Sequence, residues 1–183
     1  MNHLAIAVAK DILERIENIN ACPGTYMSGY VSRREQNEDL RARVDDVQAN
    51  CYVCALGACL LSYVRVGQKT VPISDVARRG ANMWMMTPGG RENICQQLSD
   101  VFCPHQLLMI ESAFERRIVA PGDRTDKNLI GAVCFGLAHY YDPTIPHEAS
   151  RETRSRHLLG VIMKNIVEHD GVFDVPPADR MPG

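Results

Sequence analysis

A chain of 183 residues, 45% hydrophobic and 23% charged, is long enough to bury one core and too apolar for disorder. Its 20 basic and 22 acidic residues are interspersed and leave a formal charge of −2, so no field favours a nucleic-acid backbone or an anionic membrane. The apolar runs Val53 to Leu61 and Leu129 to Ala138 fall short of the ~18–20 residues that span a bilayer, which excludes a membrane helix.

In chain order, Leu4, Val8, Ile12, Leu13, Ile16 and Ile19 recur at three- and four-residue steps, predicting an amphipathic helix over 3–19. The stretch before it has no basic n-region, and Lys10, Asp11, Glu14 and Arg15 interrupt its apolar run, so it does not read as a signal peptide and a cytoplasmic protein is expected. Pro23-Gly24 breaks the helix, and residues 25–31 suit a short extended segment. Arg33, Arg34, Arg41 and Arg43 lie in the charged run that follows, where Glu38 to Val47 reads as a marginal surface helix or a loop. Arg151, Arg154 and Arg156 form a second local basic group, but nucleic acid is not the expected partner.

Cys51 to Val64 is apolar nearly all round, as expected of a helix enclosed by others. Ser74-Asp75 predicts a helix start, with the helix running toward Trp84. Ile94, Leu98, Val101 and Phe102 share one helical face, and Pro104 opens a further helix through Phe114. Asn128 to Tyr141 reads as a second central apolar helix. The last helix is placed over Ser150 to His169, with Gly171 as its C′ residue and Phe173 folding back onto the core. The reading is mainly all-α: a compact bundle of about six helices around two central apolar ones. One domain is placed over residues 1–175, with a proline-rich flexible tail over 176–183.

Seven cysteines, mostly inside apolar helical patterns, read as reduced packing residues. Cys51 and Cys54 make half of a metal motif and want a second ligand pair that the sequence lacks, so no metal and no cofactor is expected. Cys51, placed near a helix start, is the thiol that a positive dipole would activate. His139, Tyr140 and Tyr141 close the second apolar helix, where the histidine caps the helix or the three line a ligand pocket. Met83, Trp84, Met85 and Met86 cannot all face one core from a helix, and they read either as a partner-binding surface or as a local cluster beneath the preceding loop.

Three stretches carry a resemblance: Cys54-Ala55-Leu56-Gly57-Ala58, then Leu108 to Glu115 with Ile110-Glu111-Ser112-Ala113-Phe114-Glu115, then Ile162 to Phe173 with Ile162-Met163-Lys164-Asn165-Ile166 and Gly171-Val172-Phe173. Together they resemble small uncharacterised proteins of bacteriophages and mobile elements, over about half the chain and in the same order. The resemblance implies a genomic setting, says almost nothing about activity and transfers no functional residues. The function expected is an accessory protein that binds a host or defence-system protein, for example an anti-CRISPR-like inhibitor, or that assembles with its own copies. The alternatives are a small-molecule or nucleotide binder with its pocket between the two apolar helices, and a metalloprotein or enzyme built on Cys51 and Cys54.

Overall fold

The computed structural model describes residues 1–23, 26–29, 38–73, 79–80, 83–85, 94–115 and 150–174. Its elements are α1 (His3–Glu14), a 3-10 turn (Ile16–Asn18), β1 (Met27–Gly29), a 3-10 turn (Leu40–Arg43), α2 (Val44–Asn50), β2 (Tyr52–Val53), α3 (Ala55–Val66), β3 (Arg79–Gly80), β4 (Met83–Met85), a 3-10 turn (Leu98–Asp100), α4 (Pro104–Glu115) and α5 (Arg151–Glu168). The fold is mainly helical, as the periodicity predicts. It also holds a small antiparallel sheet in the order β2-β1-β4-β3.

α3 is the central helix. Every residue from Ala55 to Val64 is buried, and α1, α2 and α4 all pack on it. Its one hydroxyl on the α1 side is satisfied without water: Ser62 Oγ donates to the Val8 carbonyl at 2.9 Å. The other end of the same contact is polar. Arg65 bonds Asp11 at 2.5 Å and Gln48 at 2.6 Å, and Asp45 at 3.0 Å, which joins α3 to α1 and α2 where the core meets solvent. Asn2 starts α1, its side chain accepting from the Ala5 N–H at 3.1 Å and donating to the Val101 carbonyl at 2.7 Å.

α5 closes the molecule against α1. Ser150 caps it by accepting from the Thr153 N–H, and Leu158, Leu159, Ile162, Met163 and Ile166 face inward. At its other end the C-cap is His169, so the C′ place expected for Gly171 is taken by Asp170, with φ 56°. Gly171, with φ 86°, follows it and donates from its N–H to the Ile166 carbonyl at 2.8 Å, the six-to-one bond of a Schellman ending. The glycine is needed for a second reason, since a Cβ there would lie 2.5 Å from the Asn2 carbonyl oxygen. Phe173 then turns back and is buried, as predicted.

Three expectations change. Cys51 to Val53 is not helical: Tyr52 and Val53 are β-prone and pair with β1, with Met27 opposite Val53 and Ser28 opposite Tyr52, and the helix begins at Ala55. Met83 to Met85 is a strand and not a helix end, because pairing on both sides with β1 and β3 overrides any helical preference there. The first helix stops at Glu14 and continues only as the 3-10 turn. The second apolar helix expected over 128–141, and the tail over 176–183, lie outside the described residues.

Candidate functional site

The chemistry-bearing residues gather where the sheet meets the start of α3. Cys54 is the N-cap of α3, in an extended conformation, and its N–H donates to the Tyr26 carbonyl at 3.3 Å. That carbonyl lies over the first turn of the helix so closely that a Cβ at Gly57 would sit 2.0 Å from its oxygen. The Tyr26 hydroxyl donates to Oε1 of Glu111, a carboxylate that is 3% exposed on α4. Thus β1, α3 and α4 are fastened together at one point by a glycine, a tyrosine and a buried glutamate.

This corner is built for packing and not for nucleophilic chemistry. Burial, above all, pushes the Cys54 thiol far above its ordinary 9.0, with Glu115 and Glu111 adding to the shift while the N–H groups of Gly57 and Leu56 oppose it. Burial alone raises Cys59 to about 12. Burial and then the nearby Asp46 charge raise Cys51 to about 11. The dipole argument for Cys51 reverses: it follows the last residue of α2 as its C-cap, at the negative end of a helix, and it is Cys54 that stands at a positive one. At neutral pH these groups are thiols, the unreactive form. Among the described residues no three His, Cys, Asp or Glu side chains are arranged to hold a metal ion, so Cys51 and Cys54 gain no partners there.

The other expected sites separate. Along β4, Met85 is opposite Ser28, and Trp84 is opposite both Gly29 and Arg79. Strand residues alternate between faces and directly opposed residues share one. Positions 83 and 85 therefore belong to the face that carries Ser28 and Tyr52, and position 84 to the face of Met27 and Val53, which are fully buried. Tyr52 is 53% exposed, a large ring left in solvent on the outer face. Met86, His139, Tyr140 and Tyr141 lie outside the described residues.

Sequence reasoning passed over Tyr26, Glu111 and Tyr52. Glu111 carries a readable signal, since it falls on the stripe of Leu107, Ile110 and Phe114, where a carboxylate must have a buried donor. Tyr26 carries none, because its partner lies 85 residues away.

Comparison of the chain with protein-family models, curated proteins and solved structures finds no match. No helix among the described residues is long and apolar enough to cross a membrane.

The three motifs of the resemblance all land on fold-defining positions. Cys54 and Gly57 start α3 beneath the Tyr26 carbonyl, Glu111 receives the Tyr26 hydroxyl, and Asn165, Gly171 and Phe173 close the bundle.

Proposed function

We propose that the protein works by binding another protein through the outer face of its small sheet, around Tyr52, Ser28 and positions 83 and 85. The observation that carries this reading is the exposure of Tyr52, 53%, in register across Ser28 of β1 with Met85 of the methionine-rich β4 on its far side. Tyrosine and methionine are the residue types enriched where partners bury apolar surface, and a tyrosine orders at low entropic cost. The raised thiols of Cys51, Cys54 and Cys59 favour the same reading, since burial disfavours the thiolate form of these three at neutral pH. With the phage-like resemblance, the partner is a host or defence-system protein, and inhibition of a defence complex is the role that such binding serves.

The test is affinity capture from host lysate with the wild-type chain, Tyr52→Asp, Met85→Asp and the double variant, each checked for native circular dichroism. Loss of one defined captured protein in the folded double variant supports the reading. Capture unchanged by both substitutions removes this surface. Conversion of a wild-type dimer to monomer by the same variants would assign the face to a second copy of the chain.

A further inference from the structure

A groove of about 460 Å³ runs along the molecule between the C-terminal end of α1 with its 3-10 turn and the outer side of α5. Leu13, Ile16 and Val161 supply its apolar surface, and Gly160 lies among them in the middle of α5. A Cβ built on Gly160 meets nothing within 4 Å. Glycine inside a helix is destabilising relative to alanine, so it is normally explained by a neighbour that needs the space. Gly57 and Gly171 each have such a neighbour, and Gly160 has none among the described residues.

We propose that this groove seats an amphipathic helix of a protein partner that bears two acidic residues about two turns apart. The inference rests on reading the protein as a binding module, but not on the sheet face. A groove between two packed helices is the surface into which a third helix fits its ridge of side chains, and a glycine at the crossing lets the incoming backbone approach closely. Charge selects the occupant. Arg156 and Lys164 stand on the groove side of α5, eight residues and so about 12 Å apart along the axis. Lys164 is exposed and makes no ion pair among the described residues. Arg156 already holds carboxylates here, Glu17 at 3.0 Å and Glu152 at 2.8 Å, while its Nε donates to the Ile19 carbonyl at 3.3 Å, so an incoming acid meets it by displacing Glu17, whose side chain is 82% exposed. Acidic residues at i and i+7 or i+8 of a docked helix span the same distance and meet both cations.

The experiment titrates the full chain, labelled with nitrogen-15, with a synthetic helix-forming peptide that has leucines on one face and two glutamates seven residues apart. A matched peptide carries lysines in place of the glutamates. Expected are amide shifts at Leu13, Ile16, Gly160 and Val161 with the acidic peptide alone, at least about tenfold weaker binding to Lys164→Glu, and loss of binding to Gly160→Leu. Because a side chain at position 160 enters open space and leucine is a better helix former than glycine, Gly160→Leu keeps or raises its melting temperature, which separates a blocked groove from an unfolded one. Shifts confined to other residues, equal binding of the two peptides, or unchanged binding to Gly160→Leu overturns the proposal. So does a wild-type dimer that Gly160→Leu dissociates, which would give the groove to a second copy. Repeating the titration with Tyr52→Asp keeps this outcome separate from failure of the sheet-face reading.

Discussion

The carbonyl of Tyr26 lies against Gly57 at a distance that admits no side chain: a Cβ on the glycine would come within 2.0 Å of the oxygen and 3.1 Å of the carbonyl carbon. Backbone, not a flexible side chain, is the obstacle, so substitution must push β1 off α3. Gly57→Ala is expected to lower stability by about 1–3 kcal/mol despite the better helix propensity of alanine. Urea denaturation checks it, and an unchanged or raised midpoint would contradict the packing described.

Gly160→Ala is the converse case within the same class of substitution. With nothing near its Cβ, only the helix term remains, and stability is expected to rise by about 0.5–1 kcal/mol, or roughly 1–4 °C in Tm. The two variants measured together separate propensity from packing, because they change the same atoms in opposite surroundings.

Removing the Tyr26 hydroxyl strips a charge-assisted bond from a carboxylate that is 3% exposed. Tyr26→Phe should cost about 1.5–3 kcal/mol, with a smaller cost when Glu111→Met, which removes the acceptor, is already present. A double-mutant cycle in chemical denaturation reads the coupling, and an additive pair would mean that the bond contributes nothing in solution.

Thiol titration follows from burial. Of the six cysteines among the described residues, Cys103 is exposed, Cys22 and Cys95 are half-buried, and Cys51, Cys54 and Cys59 are buried. At pH 8, Cys103 should react with an aromatic disulfide reagent first. Cys51, Cys54 and Cys59, whose thiols burial pushes up to about 11 or higher, should react only on unfolding. Peptide mapping after timed alkylation decides it, and early labelling of Cys54 would return that residue to the list of candidate nucleophiles.

A surface triad gives the pH dependence. Asp100 accepts from Tyr63 at 2.9 Å and from Lys69 at 3.1 Å, and Lys69 lies 5.0 Å from the Tyr63 ring centre. The Tyr63 bond, then Lys69, holds Asp100 below its ordinary 3.8. Burial, then the bond to Asp100, raises Tyr63 above 10.0. For Lys69 burial acts downward, but the Asp100 bond and the Tyr63 contact outweigh it and the net shift is above 10.5. A depressed carboxyl stabilises the fold above its unfolded value and loses that contribution as pH falls through the folded one, below 3.8. The raised Tyr63 and Lys69 stabilise below their unfolded values and lose that contribution as pH climbs past about 10. Asp100→Asn should therefore lower the denaturation midpoint slightly and evenly between these limits, since exposed pairs contribute little. The difference should vanish at both extremes, and a difference that persists at pH 2 would rule out the ionised carboxylate as its source.

Much of the bundle is legible in the sequence because helices report themselves locally. The capping Ser150, the spaced Leu158, Ile162 and Ile166, and the returning Phe173 each lie within about two turns of the next, and the structure keeps them. The sheet is not legible in this way. Strands of two or three residues hold too few positions to display alternation, and β4 exists only because residues 27–29, more than fifty positions earlier, are there to pair with it. The same locality explains the error at Cys51. Hydrophobicity continues unbroken from Cys51 into α3, whereas the helix boundary is set by the Tyr26 carbonyl taking the Cys54 N–H.

The closing segment is held by two amide side chains that imitate a strand. Gln106 accepts from the Phe173 N–H at 2.6 Å and donates to its carbonyl, while Asn165 does the same for Asp174. On the same side, the Asn2 N–H reaches the Asp170 carbonyl at 2.8 Å. The start of α1 is thus docked by a segment that lies about 170 residues later in the chain. During translation the apolar stripe of α1 must wait, uncovered on its α5 side, until about residue 174 has left the ribosome, at roughly 5–20 residues per second. The α5 face of α1 therefore stays uncovered for the whole time that residues 15–150 are being made.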